Sequence, residues 1–117
     1  MRYMLMMIEP VGQRATRTLE EGQAAYDCMV RFGEDLAARG LLLASESLQS
    51  TDGAAQVTAR DGRTQVLDGP FSEAKEMVGG FFLIDCETRE QAIEIARQCP
   101  AAQWLTVEVR AAAPCYA

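Results

Sequence analysis

Two short runs constrain this chain more than any other feature. Tyr3–Ile8 and Phe81–Ile84 are continuously apolar and of strand length. Successive side chains of a strand point to opposite faces. Met4, Met6 and Ile8 therefore share one face, and Tyr3, Leu5 and Met7 the other. Phe81 and Leu83 likewise oppose Phe82 and Ile84. Each run reads as a strand buried on both faces.

The rest of the chain supplies the other elements. Val11–Arg17 is a polar connection after Glu9 and Pro10 stop the first run. Thr18 with Glu21 forms a capping box. It predicts a helix over Leu19–Arg39, ended by Gly40. Its inner face reads Tyr26, Met29, Val30, Gly33, Leu36 and Ala37, with Asp27, Arg31, Glu34, Asp35 and Arg39 toward water. Gly33 costs about 1 kcal/mol against alanine inside a helix. Either another backbone passes close there, or space is left for a ligand. Leu41–Leu48 reads as a second strand. Gln56–Arg60 and Arg63–Leu67, joined by Asp61-Gly62, read as a hairpin, because both central turn positions favour positive φ. Phe71–Val78 is a short polar segment, and Gly79-Gly80 leads into the strand Phe81–Cys86. Thr88 with Gln91 caps a second helix, about Arg89–Gln98, with Ala92, Ile93, Ala96 and Cys99 inward. Trp104–Arg110 alternates as a last strand, with Leu105, Val107 and Val109 on one face and Trp104, Thr106, Glu108 and Arg110 on the other. Ala111–Ala117 reads as a tail.

Setting the hairpin aside, the order is βαββαβ, the ferredoxin-like split arrangement in an α+β domain spanning residues 1–117. Its first and third core strands are central, and these are the two doubly apolar runs. Two helices cover only one face of a four-stranded sheet. The other face would leave an apolar patch of a size that marks an interaction site. A second copy packed sheet against sheet by two-fold symmetry resolves this, and predicts a homodimer burying on the order of 1,600 Å² or more. The competing reading folds the hairpin and Phe71–Val78 over that face in a monomer.

Composition excludes several functions. Asp plus Glu outnumber Lys plus Arg 17 to 11, a net charge of -6. Nucleic acid and anionic membranes, which need a basic surface, are not expected partners. The chain has 0 histidines, which removes the usual base near neutral pH and the commonest metal ligand. Cys28, Cys86, Cys99 and Cys115 make no C-x-x-C motif and read as free thiols acting as small hydrophobes. No metal site and no cofactor are expected. The N-terminal run is too short for a signal peptide and nothing is long enough to span a membrane, so a cytoplasmic location is expected.

The segment richest in chemistry is Asp68-Gly69-Pro70-Phe71-Ser72-Glu73-Ala74-Lys75-Glu76. An Asp-Gly-Pro turn fixes the direction of the Asp68 carboxylate. Asp68 is either a turn cap or a general base or anchor at a pocket edge. Lys75, the chain's single lysine, reads as a solvated ion pair among glutamates. Phe71 reads as a core or interface plug.

These nine residues closely resemble the DGPFAETKE stretch of the YCII-related, or DGPF-domain, family. The resemblance extends to Met1–Leu5, Gly40–Ala44, Gly79–Ile84 and Val107–Arg110. It implies a ferredoxin-like dimeric α/β-barrel and no settled activity. It also implies a link, for some members, to extracytoplasmic-function sigma factors. A histidine and an aspartate in the family have suggested an enzyme. Gly33 stands where many members carry that histidine, so only Asp68 remains of the pair. An aspartate with an ordinary pKa near 4 is a weak base at neutral pH.

Two functions follow as expectations. One is a small-molecule enzyme or binding protein with a pocket near the motif, where Gly33 opens space, Asp68 orients a polar group (the catalytic candidate), Tyr3, Tyr26 or Ser45 donate hydrogen bonds, and Phe71 is a further ligand-binding candidate. The other is an accessory protein that binds a protein partner of the sigma-factor type.

Overall fold

The structure is a computed structural model describing residues 1–116. Its elements are β1 (Arg2–Pro10), α1 (Leu19–Ala38), β2 (Leu42–Ser47), β3 (Ala55–Arg60), β4 (Arg63–Asp68), β5 (Glu76–Asp85), α2 (Arg89–Arg97) and β6 (Thr106–Ala111). Short 3-10 turns occur at Arg14–Thr16, Thr51–Gly53 and Pro100–Gln103. β2-β5-β1-β6 form one antiparallel sheet, and β3-β4 a separate hairpin. The result is a mixed α+β fold. Ala117, the end of the expected tail, lies outside the described residues.

The two doubly apolar runs occupy the sheet centre, paired Met4 with Leu83 and Met6 with Phe81. On the helix-covered face Tyr3, Leu5, Met7, Phe82 and Ile84 are buried with Phe32 and Leu36 of α1 and Ala92, Ile95 and Ala96 of α2. On the opposite face Met4, Met6, Ile8, Phe81 and Leu83 are only half-buried. No strand of the hairpin shelters them, since every residue of β3 and β4 is exposed. Val57 and Val66, paired across the hairpin, are 66% and 65% exposed. The molecule is accordingly flat, 46 × 44 × 18 Å.

Helix ends follow their sequence signals. Thr18 accepts from Glu21 N, while the Glu21 carboxylate accepts from Thr18 N at 2.8 Å. Gly40, at φ 72°, supplies the left-handed residue after the helix. Thr88 caps α2 by accepting from Gln91 N, and Gln91 reaches back to Glu87 N.

Several expectations need correction. β5 starts at Glu76 rather than Phe81, so the glycine pair and the end of the Phe71–Val78 segment lie within the strand. Between Met7 and Ile8 the register slips, which leaves Gly79 as an extra residue opposite β1. On α1 Phe32 is buried, whereas Tyr26, Val30 and Ala37 are exposed, because those side chains border the gap between the helix and the sheet. On α2 Ile95 is buried and Ile93 only partly. Trp104 packs against the helix-side core instead of sharing a face with Thr106, because the 3-10 turn Pro100–Gln103 intervenes and β6 begins later.

Leu36 is fully buried at the centre of the core, whereas Leu19 is 78% exposed. Leu36→Ala is expected to cost about 2–5 kcal/mol, and Leu19→Ala to change stability by no more than about 0.5 kcal/mol. Equilibrium urea unfolding of the two variants checks the placement of α1. Equal losses would contradict it.

Candidate functional site

The gap between α1 and the sheet is a cleft of about 620 Å³. Its long wall is α1, through Gly22, Ala25, Tyr26, Met29, Val30, Gly33, Glu34 and Ala37. Met7 and Glu9 of β1, Leu42, Ser45, Glu46 and Ser47 of β2 and Gly79–Phe82 of β5 contribute to its floor. Arg14, Arg17, Trp104 and Leu105 close one end. The body is thus mostly apolar, and a polar group converges at one end. Cavities of roughly 300–1,000 Å³ with this distribution are what ligand sites look like.

Gly33 has a specific role in this geometry. A Cβ there would come within 3.2 Å of Phe82 Cε1. The close neighbour is an aromatic ring, not a backbone. The Phe82 ring packs edge-on against Phe32, with centroids 5.1 Å apart at 82°. Glycine therefore serves the packing and also lines the cleft.

The polar end is organised by Glu9. It follows Tyr3, Leu5 and Met7 on the core-facing side of β1 and is 5% exposed. A buried carboxylate needs a partner. Arg14 provides a two-pronged one, Nε to Oε2 at 3.0 Å and Nη2 to Oε1 at 2.8 Å. Arg14 Nη1 also donates to Leu48 O at 2.9 Å. One side chain thereby ties the end of β1 to the exit of β2. Gly79 makes room for it, since a Cβ there would overlap the Glu9 carboxylate.

Arg17 sits beside this pair, its guanidinium carbon 5.6 Å from the Trp104 ring centroid. Gln13 Nε2 donates to Trp104 O at 2.7 Å and fixes that residue's backbone. Among the described residues no carboxylate lies within salt-bridge distance of Arg17. The Glu21 carboxyl is held below its ordinary range by the Thr18 backbone and hydroxyl, with Arg17 a smaller influence.

Of the residues expected at a pocket, Tyr26, Gly33 and Ser45 come together here. Asp68, Phe71 and Tyr3 do not. Tyr3 is buried in the core, and Phe71 is half-buried in the loop before β5. Asp68 is exposed at the base of the hairpin, opposite Ala55. The turn after it is held by Gly69 N donating to Ala54 O at 2.7 Å, and Gly69 packs against Thr51. Glu9, Arg14, Arg17 and Trp104 were not singled out from sequence. The signal for Glu9 was its parity, a carboxylate two residues past Met7 on the buried side of a strand. Burial pushes the Cys86 and Cys99 thiols above their usual range, so they stay protonated at neutral pH. All four cysteines are free, and Cys115 is exposed. Among the described residues no group of three or more acidic or thiol side chains could hold a metal ion. No helix is long and apolar enough to cross a membrane.

Residues 1–114, nearly the whole chain, match the YCII-related domain. The chain belongs to the YCII-related domain family. It is also 46% identical over 50 residues to an uncharacterised protein, R00369, of Rhizobium meliloti (strain 1021). That stretch is 43% of this chain and 40% of the relative, so the match spans less than half of the relative's length.

In this YCII-related chain the two glycines near Glu9 and Arg14 should respond in opposite directions. Gly79→Ala drives a methyl into the Glu9 carboxylate and is expected to cost about 2 kcal/mol or more. A Cβ at Gly22 of α1 meets nothing within 4 Å, so Gly22→Ala should gain up to about 1 kcal/mol of helix stability. Thermal unfolding of both variants checks the geometry. A neutral Gly79→Ala would contradict the packed ion pair.

Proposed function

We propose that this chain is a small-molecule-binding protein of ferredoxin-like architecture, acting as a homodimer, with its ligand in the cleft between α1 and the sheet. The cleft itself carries the reading. It is of ligand size, its walls are mostly apolar, and Glu9, Arg14 and Arg17 lie together at one end. The order β2-β5-β1-β6, with α1 and α2 on one face, supports the architecture. The half-buried apolar centre of the other face supports the dimer. Thr106, Glu108 and Arg110 on β6 and Glu46 on β2 border that centre, an apolar middle with a polar rim. In a two-fold, sheet-on-sheet pair the Arg110 edge of one copy can meet the Glu46 edge of the other. Free cysteines support a reducing, cytoplasmic setting.

The proposal assigns binding and no reaction. Asp68 stands outside the cleft walls. The regulatory alternative, a sigma-factor-type protein partner, rests on the acidic charge and the family resemblance, and the cleft favours the small molecule.

Val30 is 40% exposed and lines the cleft, so a larger side chain there fills the space without entering the core. A metabolite screen read by thermal shift should find compounds that raise the Tm of the wild type and lose that effect in Val30→Phe. Compounds that stabilise both proteins equally would overturn the cleft as the binding site.

A further inference from the structure

We infer that the cleft selects a monoanionic ligand, an apolar body carrying one carboxylate, and that Arg17 on its Trp104 platform is the group that reads the carboxylate. The inference rests on the cleft being the binding site and adds the chemical class of its occupant.

Charge at the polar end is unequally engaged. Glu9 and Arg14 neutralise each other through two hydrogen bonds, and a third Arg14 donor is taken by Leu48 O. Arg17 is different. It is half-buried, it makes no salt bridge or side-chain hydrogen bond among the described residues, and its guanidinium lies over the Trp104 ring. A guanidinium over an indole keeps its edge donors free, in a fork that matches a carboxylate.

The surrounding carboxylates do not cancel it. Glu21 is engaged with the α1 N-cap at Thr18. Asp27 borders an adjoining hollow and lies beyond ion-pair distance. Glu34 sits 15 residues along α1 from Leu19, about 22 Å at the helix rise. Glu46 borders the cleft floor, but it pairs with Phe81, so alternation aims its side chain at the other face of the sheet. Glu34 and Glu46 also border the cleft, but at the Arg17 end the one positive charge without an ion pair among the described residues is Arg17. A monoanion satisfies it, whereas a neutral ligand leaves it unpaired and a dianion brings a second charge with no counterpart.

Trp104 is the single tryptophan, so its fluorescence reports the site directly. The probes are phenylbutyrate and its neutral isostere phenylbutyramide, titrated into the full chain. The wild type should bind the carboxylate about tenfold more tightly than the amide. Arg17→Gln should remove that preference by weakening carboxylate binding, and a cooperative thermal unfolding transition shows that the variant is folded. Val30→Phe should weaken both probes. Equal affinity of both probes for the wild type, with both weakened by Val30→Phe, would overturn the inference and spare the cleft. Failure of both probes to perturb Trp104, or binding untouched by Val30→Phe, would overturn the cleft reading and the inference with it.

Discussion

A four-stranded sheet whose central strands are apolar on both sides, in a chain with helices for only one of them, sets the terms for the rest of this molecule. Burying Tyr3, Leu5, Met7, Phe82 and Ile84 under α1 and α2 builds the core. The same strands must then present Met4, Met6, Ile8, Phe81 and Leu83 on the other face, because alternation along a strand leaves no choice. At roughly 25 cal/mol per Å² of apolar area, leaving such a face in water forgoes a large stabilisation. The hairpin, exposed along both strands, does not cover that face, and the proposed homodimer would.

The cleft is a consequence of the same arrangement. α1 packs its Phe32–Gly33–Leu36 side onto the sheet and leaves Tyr26, Val30 and Ala37 facing a gap over β2. The charged end depends on a small irregularity. The register slip between Met7 and Ile8 sets Gly79 against Glu9, and the absent side chain there admits the carboxylate and its arginine. Arg14 is thereby neutralised, and Arg17 is left without an ion pair among the described residues.

Much of the fold was legible because its signals are local. Apolar runs, capping boxes at Thr18 and Thr88, the Asp61-Gly62 turn and the Gly40 stop each act over a few residues, and each element they mark is present. What was not legible is long-range. Nothing local reveals that β5 extends back through Gly79-Gly80, since those glycines look like a breaker until Glu9 is placed opposite them. The burial of Phe32 and Ile95 depends on the rotation of each helix over the sheet, which periodicity leaves uncertain by one position. The site suffered most. Asp68 drew notice because its motif is distinctive, yet it stands at the hairpin base. Arg14 and Arg17 lay in what read as a plain polar connection, and only the fold brings them to Glu9 and Trp104.

Light scattering coupled to size exclusion, on the wild type and on Met6→Glu, tests the two-faced sheet most directly. The account predicts a wild-type mass twice the 12.8 kDa of one chain at micromolar concentration. It predicts the single-chain mass for the variant, whose new charge lies at the centre of the open face. A wild type that runs at the mass of one chain would contradict it.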